Sequence, residues 1–234
     1  MLSFAERIHF QQQGIGVAKP GRTPSKPAAA NPGLTAVLAW IALLWLIYGC
    51  DVLLTQQLHP SYSTGPWSGG YLMDNFGITP LTLHGLFCIP TAPFLHANVA
   101  HLAANSVGLL ILGWLSCRYS PRLTMIAVGE SIVGGGLVAW ALGDPGSCHI
   151  GASGVIFGLI GFLIGNALFR FEFLSLFIGV VTALLFAAVL PQALPEHALG
   201  AAHHAGQQPV SWQMHLGGLL GGLSASWHSR AQSR

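Results

Sequence analysis

Residues 151–168 read Gly-Ala-Ser-Gly-Val-Ile-Phe-Gly-Leu-Ile-Gly-Phe-Leu-Ile-Gly-Asn-Ala-Leu. The run carries no charge, and glycines recur at 154, 158, 161 and 165. That spacing places a stripe of small residues along one side of a helix. Small residues let apolar helices approach closely inside a membrane. Ser153, at the mouth of the run, is a polar group in surroundings where polar groups are costly. A second stretch of the same kind begins 62 residues on, His215-Leu216-Gly217-Gly218-Leu219-Leu220-Gly221-Gly222. A hydroxyl on one apolar helix and an imidazole on another suggest that the two meet.

Composition fits this reading. Of the 234 residues, 52% are apolar and only 7% charged, whereas soluble domains carry roughly a quarter charged residues. A membrane span needs about 20 mainly apolar residues. Six stretches qualify or nearly qualify: 34–55, 98–117, 123–142, 152–168, 173–190 (ended by Pro191) and 211–227. A Gly-Asp-Pro-Gly turn follows the third. The expected fold is all-α, a polytopic bundle of six transmembrane helices. The first stretch follows 33 residues without a small-x-small cleavage site, so it is read as retained.

The basic residues set the orientation. Arg7, Lys19, Arg22 and Lys26 precede the first stretch; Arg118 and Arg122 bracket the second turn; Arg170 lies between stretches four and five; Arg230 and Arg234 follow the sixth. In a six-helix arrangement all nine fall on one side, which the positive-inside rule makes cytoplasmic. Residues 1–33, rich in Pro, Ala and Gln, read as a flexible cytoplasmic tail, 34–227 as the membrane domain and 228–234 as a short cytoplasmic tail. Both termini are then cytoplasmic, in a plasma or inner membrane.

Under this topology stretches two, four and six all start at the outer face. His101 and Asn105 share a face early in stretch two. Ser153 opens stretch four, and His215 lies in the first turn or so of stretch six. At about 1.5 Å per residue, all four sit within a few turns of one surface. The glycine stripe of stretch four and Gly218 and Gly222 of stretch six imply that these helices pack together, bringing Ser153 to His215.

The chemistry of these types is nucleophilic. A serine hydroxyl needs a base to take its proton, and histidine titrates near neutrality. The Asn105 amide, the His101 ring and the Ser153 backbone N–H could stabilise an oxyanion. No acidic third member is evident. Glu130 lies about twelve residues from the outer end of its helix, roughly 18 Å too deep to orient His215, and is assigned a structural hydrogen bond. A Ser–His dyad is expected.

These motifs resemble those of the rhomboid family of intramembrane serine proteases. The matching residues are 94–105 (Phe-Leu-His-Ala-Asn-Val-Ala-His-Leu-Ala-Ala-Asn), Gly151-Ala152-Ser153-Gly154, and His215 with Gly218 and Gly222. The resemblance spans roughly 34–227. It implies endopeptidase cleavage of transmembrane protein substrates near the outer membrane face, with Ser153 as nucleophile, His215 as general base, and His101 and Asn105 assisting the oxyanion. It implies that Phe157 stacks on His215, that His96 anchors a loop, and that residues 191–210 form a cap. It implies no cofactor, metal or nucleic acid. One departure is the absence of a Trp-Arg pair between Asp51 and Pro93. Tyr62, Trp67, Tyr71, Phe76 and Phe87 in the same loop suit the membrane interface.

Two other classes compete. His149, His197, His203 and His204 invite a metal site with His215, but no HExxH or Cys/His spacing supports zinc. A non-cutting, client-binding relative would ordinarily lack the serine or the histidine, and both are present. Cys50, Cys88, Cys117 and Cys148 show no metal spacing; a bond between Cys88 and Cys148 is left open.

Overall fold

A computed structural model describes residues 32–58, 70–170, 172–195 and 211–230. The stretches read as an N-terminal tail, the aromatic pair Tyr62 and Trp67, and His197, His203 and His204 lie wholly or almost wholly outside these residues, as does most of the 191–210 segment. Among the described residues the chain is mostly helical and has no strand, only an isolated bridge between Ile78 and His149.

The helices, in chain order, are α1 (Pro32–Leu58), α2 (Tyr71–Phe76), α3 (Leu83–Phe87), α4 (Val99–Tyr119), α5 (Pro121–Leu142), α6 (Ser153–Arg170), α7 (Phe173–Leu185) and α8 (Trp212–Arg230). Local chemistry sets several starts. Asn98 accepts from the His101 N–H at 2.8 Å and caps α4. Ser120 caps α5, and Pro121 at its first position has no N–H to leave unpaired. Thr82 caps α3 by accepting from the Gly85 N–H.

Among the described residues, four helices are long and apolar enough to cross a membrane: α1, α4, α5 and α6. The two remaining candidates from the sequence depart from that standard for identifiable reasons. The expected span 173–190 is helical only over the 13 residues of α7. Pro191 has no N–H and disfavours helix in Leu190. The chain leaves the helix earlier still, through 186–189 and a 3₁₀ turn over Leu190–Ala193. α8 has the length, but Gln213, His215, Ser224, Ser226 and His228 with four glycines lower its hydropathy. It also runs to Arg230, three residues into the stretch read as a tail. A further departure is a π-helical turn at Leu109–Gly113 inside α4.

α6 is the buried centre. Leu159, Ile160, Phe162 and Leu163 are almost wholly enclosed. α8 lies between α6 and α5, and glycines make both contacts. A Cβ on Gly218 would run into the Gly154 carbonyl, and one on Gly222 into the Gly158 carbonyl. One on Gly161 would strike the Leu219 carbonyl. On the other side Gly134 and Gly217 meet backbone to backbone, and Gly221 meets Glu130. Such approach maximises dispersion contact where no hydrophobic drive separates helix from lipid. By contrast α1 and α7 present apolar side chains outward: Leu46, Leu53, Phe173, Leu174, Leu184 and Leu185 are all exposed.

Between α1 and α4 the chain is pinned by polar contacts. Buried Asp51 accepts from the Leu72 N–H at 2.7 Å, and Thr55 accepts from the Tyr71 N–H at 3.0 Å. Phe76 and Phe87 are exposed there. At the other end of the bundle, the Glu130 carboxylate lies 3.4 Å from His228 Nδ1. The pair joins α5 to the far end of α8, away from His215.

Candidate active site

Three helices begin at one end of the bundle with polar side chains. Ser153 is the first residue of α6, and His215 is the fourth of α8. His101 is the third and Asn105 the seventh of α4. Each is therefore within about 10 Å of its helix start at about 1.5 Å per residue.

Ser153 Oγ and His215 Nε2 are 2.9 Å apart, across 62 residues of sequence. His215 Nδ1 lies 3.1 Å from the Gln192 carbonyl oxygen. A carbonyl can only accept, so Nδ1 carries a proton. In the neutral ring Nε2 then holds the lone pair and receives the serine proton. The Gln192 carbonyl thus occupies the orienting position that a carboxylate holds in a triad. Phe157 lies one turn beyond Ser153 on α6, and its ring stacks on His215 at 4.1 Å and 11°. The stack fixes the plane of the imidazole, which is 3% exposed.

The close helix approach supplies this distance. Gly154 and Gly218, each beside a reactive residue or one turn from it, touch backbone to backbone. Gly222 continues the contact a turn deeper. Gly151 has a different task. Its φ of +110° is a conformation that side chains rarely adopt. A Cβ there would also meet His101 Cε1 at 2.7 Å and His101 Nε2 at 2.9 Å, with Asn105 Nδ2 at 3.5 Å. Its N–H donates to the Ala92 carbonyl at 2.9 Å. The backbone turn before Ser153 is thereby pressed against the His101 and Asn105 side chains.

Asn105 Nδ2 is buried with no hydrogen-bond partner among the described residues. A buried, unpaired amide donor costs about 1–3 kcal/mol, and this one lies beside Gly151, two residues before Ser153. His96 packs edge-on against His101 with ring centroids 5.1 Å apart. It is 1% exposed, and burial pushes its pKa down to about 3, with the neighbouring His101 adding to the effect and the Phe94 backbone opposing it.

The structure therefore brings Ser153, His215, Asn105, His101, Gly151, Gly154, Phe157, Gly218 and Gly222 into one region. Sequence reasoning missed Gln192, because a backbone carbonyl leaves no side-chain signature. It also missed the partners of His149, which contacts Ser147 and Ser211. Among the described residues, no three His, Cys, Asp or Glu side chains are grouped to hold a metal. All four cysteines are free; the Cys148 thiol donates to the Met73 carbonyl at 3.4 Å.

Chemically, this is a hydroxyl hydrogen-bonded to an oriented imidazole, with unused N–H donors nearby. Comparison with known proteins gives the arrangement a family. The Rhomboid domain model matches residues 84–232. An uncharacterized protein of Mycobacterium tuberculosis is 34% identical over 222 residues, covering 91% of this chain and 83% of the relative. An uncharacterized Mycobacterium leprae protein is 32% identical over 207 residues, covering 86% and 73%. The Bacillus subtilis protein named "Putative rhomboid protease YdcA" is 27% identical over 203 residues, covering 84% and 87%. No solved structure matches the chain. The domain match covers all the motif residues from His96 to Gly222, and on it this multi-pass membrane protein is a member of the rhomboid family.

Proposed function

We propose that this protein is an intramembrane serine endopeptidase that cuts transmembrane protein substrates near the outer membrane face with a Ser153–His215 dyad. The observation that carries the reading is the 2.9 Å contact between Ser153 Oγ and His215 Nε2, with Nδ1 held by Gln192. Ser153 Oγ attacks the scissile carbonyl carbon while its proton passes to His215 Nε2. The carbonyl oxygen takes up the negative charge beside Asn105 Nδ2, the His101 ring and the Ser153 N–H. The last of these opens a helix and needs no intrahelical partner. Collapse of the intermediate breaks the C–N bond, and His215 returns the proton to the departing amine. The acyl group stays on Ser153. Water, deprotonated by His215, then attacks the ester carbon; the C–Oγ bond breaks, His215 returns the proton to Ser153 Oγ, and the acid is freed.

In this reading α1, α4, α5, α6, α7 and α8 are the six spans of one domain over 34–227. α7 is short but turns an apolar face outward, while the polar α8 is shielded between α5 and α6. Arg118, Arg122, Arg170 and Arg230 stand at the helix ends opposite the site. By the positive-inside rule that end is cytoplasmic, so both termini are cytoplasmic and the dyad opens outward. Residues 1–33 and 228–234 flank the domain as cytoplasmic tails. The membrane is a plasma or inner membrane. No metal or other cofactor enters the scheme.

The test is cleavage of a model single-span substrate in liposomes, with fluorophosphonate labelling in parallel. Wild type should cut and label at Ser153, and Ser153→Ala and His215→Ala should do neither. Cleavage surviving in Ser153→Ala would sink the serine mechanism.

A further inference from the structure

His149 lies outside the dyad, yet it touches the segments that carry both of its members. Four hydrogen bonds run in one direction through it. Ser147 Oγ donates its single proton to the Asp144 carbonyl at 2.6 Å. Ser147 can therefore only accept from His149 Nε2, 3.0 Å away, so that nitrogen carries the proton. In the neutral ring His149 Nδ1 then accepts, and the Ser211 hydroxyl, 2.6 Å away, donates to it. Ser211 Oγ in turn accepts the Met214 N–H at 3.2 Å, which caps α8. His215 follows, its N–H donating to the Ser211 carbonyl at 3.2 Å.

The other side of His149 is equally fixed. Its backbone exchanges two hydrogen bonds with buried Ile78, at 2.9 and 3.1 Å. Gly143, at the end of α5, leaves no room beside its ring: a Cβ there would strike His149 Nε2. Ser153 stands four residues beyond His149. A helix cap by itself orders only its own first turn. Here the capping serine is held by a side chain from the segment that delivers the nucleophile.

We propose that His149 is a positioning residue: by holding the Ser211 cap it sets the first turn of α8, and with it His215, in register with Ser153. This rests on reading Ser153 and His215 as nucleophile and base. The His149 ring acts as acceptor toward Ser211 and donor toward Ser147, so the neutral form with Nε2–H is required. The reacting groups themselves do not touch it.

The experiment compares two substitutions that separate shape from hydrogen bonding. His149→Phe keeps a ring of similar size and loses the acceptor. His149→Asn is smaller but places an acceptor near the position of Nδ1. Cleavage kinetics in liposomes, labelling of Ser153 and thermal unfolding are measured for each. We expect kcat and the labelling rate to fall about tenfold in His149→Phe with KM within twofold, as small misplacements of reacting groups do. His149→Asn should stay within about threefold of wild type while unfolding at a lower temperature. Ser211→Ala should add nothing to His149→Phe, because both break the same tie. If activity instead follows thermal stability, with Phe above Asn, the proposal is overturned. Should His149→Phe not fold, Ser211→Ala against Ser211→Thr carries the test, since only threonine keeps the hydroxyl; equal activities would overturn the tie. If wild type neither cuts nor labels, the dyad reading fails. The tie is then judged by amide exchange at Met214 and His215: faster exchange in Ser211→Ala or His149→Asn than in wild type supports it when the smaller effect is in Asn, and exchange unchanged in both overturns it.

Discussion

Replacing Gly218 by alanine adds one methyl group to a backbone contact between α6 and α8 one turn from His215. The new Cβ would overlap the Gly154 carbonyl oxygen and would stand 2.7 Å from its carbon and 3.1 Å from the Gly154 Cα. Ordinary contact begins at 3.4 Å. The obstacle is backbone on a buried helix, so no side chain can swing aside. α6 and α8 must part locally by about 0.7 Å or more to clear the carbon alone. His215 is one turn from Gly218, and Ser153 adjoins Gly154. Most of that opening reaches the 2.9 Å contact between Ser153 and His215 and carries it past 3.5 Å, where a hydrogen bond is effectively lost. A misplacement of this size costs on the order of 10²-fold in rate. Overpacking a core costs about 1–3 kcal/mol, and the better helix propensity of alanine returns up to about 1 kcal/mol.

Gly129 on α5 is the matched control. A Cβ there meets nothing within 4 Å, so Gly129→Ala leaves only the propensity gain. Both variants should be purified in detergent, followed through thermal unfolding, and assayed for substrate cleavage and Ser153 labelling. We expect Gly218→Ala to lose about 10²-fold in kcat with a modest fall in unfolding temperature, and Gly129→Ala to match or exceed wild type in both. Gly218→Ala retaining activity within twofold would refute the claim that backbone contact sets the dyad distance. Equal damage from both would trace the effect to glycine flexibility rather than contact.

Asn105→Ala removes one buried donor and should lower kcat by about 10²–10³ without lowering unfolding temperature, because Nδ2 has no partner to lose; an unchanged kcat would remove Asn105 from the oxyanion site. Gln192→Ala keeps the backbone carbonyl that accepts from His215, so cleavage should stay within about threefold of wild type, and a loss on the scale of His215→Ala would contradict the backbone assignment. His96, held near 3 against an ordinary 6.5, favours its neutral form in the fold; its contribution is complete above 6.5 and is lost as pH falls from there toward 3. By pH 5 it should have withdrawn about 2 kcal/mol of stability, and His96→Leu should flatten that slope in denaturation measured between pH 7.5 and 5. Asp51→Ala strips the Leu72 N–H of its acceptor and should cost about 1.5–3 kcal/mol, read as a lower unfolding temperature.

What the sequence makes legible depends on whether a contact leaves a periodic trace. Gly154, Gly158, Gly161 and Gly165 recur at helical spacing because this face of α6 packs closely on its neighbours: Gly154 and Gly161 against α8 backbone, Gly158 against Ser131 of α5, and Gly165 against Ser226 and Leu223 of α8. The packing of α6 on α8 can therefore be read from the glycines alone, and with it the approach of Ser153 to His215. The short α7 leaves a weaker trace. Pro191 marks where a helix cannot continue, yet the chain departs earlier, at Leu185. That departure matters to the site. Carried straight on, the helix would point the Gln192 carbonyl along its own axis; the turn through 186–189 instead delivers it to His215 Nδ1. A main-chain oxygen has no residue type, so no pattern of carboxylates could have revealed the group that orients the imidazole. His149 is legible as a polar residue near the serine but not as a partner of Ser211, since that contact joins two loops whose separation only the packed helices define. For the proposed dyad, the same packing stands in for an acid beside His215. The ring is stacked on Phe157, enclosed by α6 and held through Nδ1 by a carbonyl, so its plane and tautomer are fixed without placing a carboxylate, and its desolvation penalty, inside the bundle.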